Sequence, residues 1–166
     1  RLLSAISHAT VEYLTAQVSA GADAIQLFDT WVGCLTEDEY LRCVFPHVKT
    51  IFDGLSKDVS SIYFGTRCAH LLPEMKKVGA AVMGLDHHVA LDQVWNELGN
   101  VAVQGNLDPA VLLKSRDIIR KEARKILAQA DRRPGHIFNL GHGVLPSTPV
   151  ENVRFLIDFV HQESSR

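Results

Sequence analysis

Cysteine is scarce. Only Cys34, Cys43 and Cys68 occur in 166 residues, an odd number that cannot close completely into internal disulfides. A reducing, cytoplasmic setting is the expectation. Long apolar runs are missing too: none approaches the ~20 residues a membrane-spanning helix needs. The opening RLLSAISHATVEYL has no extended apolar core of a secretory leader. No membrane partner is expected. Charge of one sign is also lacking. The net charge is −2, the pI is about 6.5 and no basic block stands out, so there is no electrostatic case for nucleic acid. No G-x-G-x-x-G follows an apolar strand pattern, which weakens a dinucleotide site. Methionine is missing from position 1: the chain enters a helical pattern at Arg1, and further sequence upstream is the expectation.

What is there is alternation. Leu2, Leu3, Ile6, Tyr13, Leu14 and Val18 keep roughly helical spacing, and Gly21 stops the segment. AIQLF (24–28), closed by Asp29, reads as a buried strand. Thr36 with Glu39 three residues on reads as a capping box, opening a helix over about 37–55. Strands are then expected at 61–64, 81–84, 101–104 and 136–139. Helices are expected at about 69–78, 91–98, 110–130 and 150–161. Five strands separated by helices predict an α/β fold with a parallel sheet and right-handed crossovers. Both faces of such a sheet are covered, so its strands should be apolar throughout.

Two architectures offer this pattern, an open doubly wound sheet and a (β/α)8 barrel. Polar residues cluster just after the strands: Asp29 and Thr30, Gly65-Thr66, Asp86, Asn106 and Asp108, then Asn139 and His142. In a barrel such loops share one mouth; in an open sheet they spread along an edge. A closed barrel takes eight strands and about 250 residues. Five strands therefore mean either an open sheet or part of a longer barrel.

Each polar cluster has a functional and a structural reading. In NLGHGVLPSTP (139–149), Gly141 and Gly143 would permit positive φ or close backbone approach beside His142. His142 would then meet a ligand, or simply decorate a turn. In LFDTWVG (27–33), the Thr30 hydroxyl could reach a ligand or the local backbone, and Asp29 is a candidate mouth residue. In QGNLDP (104–109), Asp108 reads first as a helix cap, with Asn106 a candidate mouth residue. In GLDHHV (84–89), Asp86 is a candidate, set against structural hydrogen bonding. His87 and His88, adjacent in sequence, would point in different directions on any regular element, and they are not expected to share a metal. Cys68-Ala69-His70 has ligand chemistry but too few partners at fixed spacing for zinc. The charged helix within 115–133 reads as a solvated face.

With these residues in view, the chain resembles the C-terminal part of the uroporphyrinogen decarboxylase family. GADAIQLFDTWVG, VAVQGNLDP and HIFNLGHGVLP carry the resemblance, in that order, and it runs over essentially all 166 residues. It implies a partial (β/α)8 TIM barrel. The five strands would be the fourth to eighth of a single TIM-barrel domain, with the N-terminal strands absent from 1–166. It implies that Thr30 and His142 contact substrate, while the family's arginine-rich loop and pyrrole-binding aspartate lie upstream. No catalytic residue is assigned within the chain.

The implied reaction removes CO2 from the four acetate side chains of uroporphyrinogen III to give coproporphyrinogen III, in haem biosynthesis. It uses no metal and no organic cofactor. This chain alone is expected to be inactive. The resemblance also implies a homodimer, and strands at Ala24 and His136 left open by a partial barrel would seek partners. Two rivals remain. One is the related zinc- and corrinoid-dependent methyltransferase branch, whose His-x-Cys has no counterpart in Ile62-Tyr63-Phe64-Gly65 and whose late cysteine is replaced in Gly141-His142-Gly143. The other is a non-catalytic half-barrel that only assembles.

Overall fold

The computed structural model describes residues 1–164. Among them, five strands alternate with helical segments. The chain divides into two compact units, one ending at Met83 and one beginning at Gly84.

The first unit starts with α1 (Leu2–Ser19). It ends as the sequence demands: the Ala20 N–H still bonds the Ala16 and Gln17 carbonyls, and Gly21 then turns out at φ 105°, a conformation that glycine adopts without a Cβ penalty. β1 (Ala24–Asp29) and β2 (Ser60–Gly65) pair in parallel, from Ala24 opposite Ser60 to Asp29 opposite Gly65. Between them lie a 3-10 turn (Val32–Cys34), the short α2 (Glu37–Glu39) and α3 (Phe45–Asp53). α1 packs on α3. The capping box forms in full: the Glu39 N–H bonds the Thr36 hydroxyl, and the Thr36 N–H bonds the Glu39 carboxylate at 2.9 Å.

The helix expected over 37–55 is not continuous. Tyr40–Val44 forms a π turn in which the Phe45 N–H reaches back to the Tyr40 carbonyl. Pro46 follows directly. It has no N–H to give, and its ring crowds the carbonyl four residues back, so the wider turn relieves that clash. The next helix splits for a like reason. A 3-10 turn (Ala69–Leu71) precedes α4 (Leu72–Lys76), which has Pro73 in its first turn. β3 (Val82–Gly84), buried throughout, lies where the first unit gives way to the second along the chain.

The second unit carries α5 (Leu91–Leu98), β4 (Ala102–Leu107), α6 (Arg116–Ala130), β5 (His136–Leu140) and α7 (Val150–Ser164). β4 and β5 pair in parallel, Val103 opposite His136 through Leu107 opposite Leu140. The helix expected over 110–130 is also broken. Asp108 caps a 3-10 turn (Pro109–Leu113) by accepting from the Ala110 N–H at 2.8 Å. Lys114 is extended, and α6 restarts after Ser115.

The charged helix has a buried side. Ile119, Ala123, Ile126 and Ala130 are buried at helical spacing. On its outer side Arg116 and Arg120 stack over Phe155 of α7, and Arg124 stacks over Phe159 while bonding Glu163 at 2.7 Å. Arg133 lies 4.2 Å over Trp95.

Not every strand is buried on both faces. β2 and β4 are buried along most of their length, but β1 exposes Phe28, and β5 alternates half-buried with exposed residues. Each of these last two has one parallel partner in its unit, β2 and β4 respectively.

Candidate functional site

In the first unit the site residues stand at the C-terminal end of β1. Asp29 closes the strand, and its carboxylate Oδ2 accepts from the Tyr63 hydroxyl at 3.0 Å. The Tyr40 hydroxyl lies 3.5 Å from that of Tyr63. Since the Tyr63 proton is committed to Asp29, Tyr40 donates to Tyr63, making a chain from Tyr40 through Tyr63 to Asp29. Both tyrosines are fully buried. Burial pushes the Asp29 carboxyl above the usual range, and the Tyr63 bond pulls it partly back. Burial likewise pushes the Tyr40 phenol up to about 12 and Tyr63 above its ordinary value. Both phenols are neutral donors at any physiological pH.

Thr30 follows Asp29, half-buried, and its main-chain oxygen accepts a hydrogen bond from the Thr66 hydroxyl. The turn beyond it needs Gly33: a Cβ there would lie 2.3 Å from the Thr66 carbonyl oxygen. Trp31 is 81% exposed. Cys68 is buried, and His70 bonds the Leu35 carbonyl at 2.8 Å. Tyr40 and Tyr63 are not among the residues that the sequence singles out. The available signal is a tyrosine between the apolar Ile62 and Phe64 of a strand, because a buried phenol must find a partner.

In the second unit Asp86 and Asn106 come together. Asn106, at the end of β4, donates both amide hydrogens, to the Asp86 carbonyl at 2.8 Å and the Val89 carbonyl at 2.9 Å. This staples the 86–89 turn. The buried Asp86 carboxylate accepts from the His88 N–H at 3.1 Å and meets His88 Nδ1 at 3.0 Å. His87 and His88 do not point apart. Their rings lie 4.2 Å apart and tilted by 33°, because the two residues sit in a stapled turn and not in a regular element. A cavity of about 230 Å³ borders His87, His88, Asn106 and Asp108 on one side and Lys125 and Gln129 of α6 on the other. Among the described residues no three histidine, cysteine, aspartate or glutamate side chains converge as a metal site.

Of the two duties expected of the glycines around His142, positive φ and close backbone approach, only the second is met, and only at Gly141. Neither Gly141 nor Gly143 takes a positive φ. Gly141 is needed for a close approach, since a Cβ there would lie 2.3 Å from the His87 backbone nitrogen. Its own N–H bonds the Leu107 carbonyl at 2.7 Å. Gly143 faces open space. His142 is exposed, and its Nδ1 accepts from the Gly143 N–H at 2.8 Å. With Nδ1 accepting, Nε2 carries the ring proton in the neutral form.

The family model for uroporphyrinogen decarboxylase (URO-D) matches residues 1–163. A uroporphyrinogen decarboxylase of Koribacter versatilis is 54% identical over 158 residues, covering 93% of this chain and 45% of the relative. Those of Carboxydothermus hydrogenoformans and Thermus thermophilus are each 46% identical, covering 99% and 98% of this chain and 47% and 48% of the relatives. The chain spans about half the length of the curated relatives it matches. Among solved structures, a methyltransferase from Methanosarcina mazei superposes with a TM-score of 0.85 at 20% identity, over 96% of this chain and 48% of that one. A B12-independent methionine synthase from Shewanella sp. W3-18-1 superposes at a TM-score of 0.71 with 15% identity, over 96% of this chain and 52% of that one. These two structural likenesses concern the fold, a partial barrel of βα units.

Proposed function

This chain belongs to the uroporphyrinogen decarboxylase family, and on that premise we propose that it is part of an enzyme that converts uroporphyrinogen III to coproporphyrinogen III. The observation that carries the reading is the family match across residues 1–163. In the proposed reaction a proton is added to a pyrrole α-carbon. The ring becomes an electron sink, the bond between the acetate methylene and its carboxylate breaks, and CO2 leaves. Its electron pair passes into the ring, the methylene takes up a proton and becomes a methyl group, and the ring is restored as the proton first added to the α-carbon leaves. This happens four times. No electron is gained or lost overall, so the chemistry asks for acid catalysis and charge stabilisation and not for a redox cofactor.

Thr30 and His142 are proposed to contact substrate, Thr30 by its hydroxyl and His142 by its exposed ring, set in the loop after β5. The 1–166 segment is proposed as the C-terminal part of one barrel domain. The acid, the counter-charge and most carboxylate clamps would then come from the rest of the barrel. Two features support association with further protein: β1 and β5 each have a single partner within their units, and Phe28 on β1 is 65% exposed. A homodimer is the proposed state of the complete enzyme. A cytoplasmic location is proposed from cysteine usage; no described helix is long and apolar enough to cross a membrane.

The test is coproporphyrinogen formation from uroporphyrinogen III under anaerobic conditions. The complete enzyme containing this chain should turn over, and its Thr30→Ala and His142→Ala variants should raise KM or lower kcat by about tenfold or more. A complete enzyme without turnover on this substrate sinks the reading. Turnover by the 166-residue chain alone sinks the division of labour.

A further inference from the structure

We propose that Asp29, Tyr63 and Tyr40 form a positioning device that fixes the end of β1 and thereby presents Thr30. The inference rests on the reading of Thr30 as a substrate contact and adds three residues to it. Side chains on a strand alternate between faces. On β1, Ile25, Leu27 and Asp29 take one face and Gln26 and Phe28 the other. The Asp29 face is the covered one, since the ring of its partner Tyr63 packs 5.6 Å from Phe52 of α3. The other face carries Phe28, which is 65% exposed and meets Phe64 edge-on at 5.8 Å.

Asp29 is therefore turned toward the helical layer, away from the face that Phe28 opens. A carboxylate at a strand end is an odd choice for that layer. Burial there penalises its charge, and a leucine would pack without cost. The structure instead supplies two fully buried tyrosines to hold it. The Tyr40 hydroxyl, 3.5 Å from that of Tyr63, stands behind the bond that reaches Asp29.

The consequence falls on the next residue. Thr30 is gripped from both sides: Asp29 before it is tied to β2 through Tyr63, and its own carbonyl accepts from Thr66 just past the end of β2. Its hydroxyl is thus carried on a backbone tied to β2 on one side and to Thr66 on the other. Among the described residues Tyr63 is the side chain that tethers the Asp29 carboxylate. The other ionisable groups acting on this chain are Cys68 and Glu74, both through Tyr40.

The experiment is a double-mutant cycle in the complete enzyme. Tyr63→Phe keeps the ring and removes the tether; Tyr40→Phe/Tyr63→Phe removes the whole chain without leaving a buried hydroxyl unpaired, which protects the fold. Both should raise KM for uroporphyrinogen about tenfold, with kcat changed less. In a Thr30→Ala background the same changes should add nothing, because the device acts only through Thr30. The Asp29 carboxyl, followed by carbon NMR, should titrate at higher pH in Tyr63→Phe than in the wild type. Additive losses, or a Tyr63→Phe enzyme with unchanged KM, would overturn the proposal. If Thr30→Ala itself is silent, it is the functional reading of Thr30 that has failed.

Discussion

At the scale of single residues, glycine is where sequence and structure part most clearly. Gly141 and Gly143 look equivalent around His142, yet only one is required. A Cβ at 141 would strike the His87 backbone nitrogen at 2.3 Å, whereas one at 143 meets nothing. Gly141→Ala is expected to cost about 2–4 kcal/mol of stability by overpacking against rigid backbone. Gly143→Ala should stay within about 0.5 kcal/mol. Chemical denaturation of the two variants checks this, and equal losses would contradict it. Asn106 is a second case. Its sequence position suggests the mouth, and what the geometry gives it is the stapling of the Asp86 and Val89 carbonyls. Asn106→Ala leaves the buried Asp86 carbonyl and the half-buried Val89 carbonyl short of a donor and should cost about 2–4 kcal/mol.

Two half-buried groups set pH dependences of opposite sign. Asp29 titrates above its ordinary value because burial disfavours the charge. The folded state thus holds the proton more tightly than the unfolded one, and stability falls as pH rises from about 4 through the raised value. Asp29→Asn should remove that slope. His136 titrates below its ordinary value, again through burial, though its Nε2 bond to the Gly105 carbonyl opposes the shift. Here the unfolded state takes the proton first, so stability falls as pH drops below about 6.5. Denaturation midpoints between about pH 4 and 8, compared with those of Asp29→Asn and His136→Gln, separate the two.

At the scale of elements, two helices that each follow a hydroxyl residue are capped differently. Thr36 makes a full capping box, but Ser115, at the start of α6, makes no side-chain capping bond. Thr36→Ala should cost about 1 kcal/mol, and Ser115→Ala well under that. Element type and order were legible in the sequence, because apolar periodicity and stops such as Gly21 are local signals. Continuity was less so. Pro46 and Pro73 were visible, but whether a proline kinks, caps or widens a helix depends on what the neighbouring turn can rearrange. The π turn that Pro46 follows also carries Tyr40, so the break in the helix and the buried tyrosine chain belong to one local structure.

At the scale of the whole molecule, the decisive fact is length. The chain covers 45–48% of the relatives quoted above, and on the proposed reading the rest of the barrel comes from other polypeptide. The expectation is that the 166-residue chain has no decarboxylase activity by itself. A separately expressed polypeptide carrying the upstream half of a close relative should restore some. Coproporphyrinogen formation on mixing, with co-elution of the two, is the measurement. Co-elution without turnover would favour a purely assembling role.

The sequence by itself determined the alternation of strands and helices, the family and the places along the chain where polar residues leave the strands. These follow from spacing and residue type, which are properties of neighbours in the chain. Tertiary structure alone decided that Tyr40 and Tyr63 hold Asp29, that Asn106 staples the turn after β3, and that Gly141 is small for the sake of His87. Each is a contact between residues 17 to 54 positions apart. No local pattern encodes such pairings, because a buried donor takes whichever acceptor the fold brings within reach.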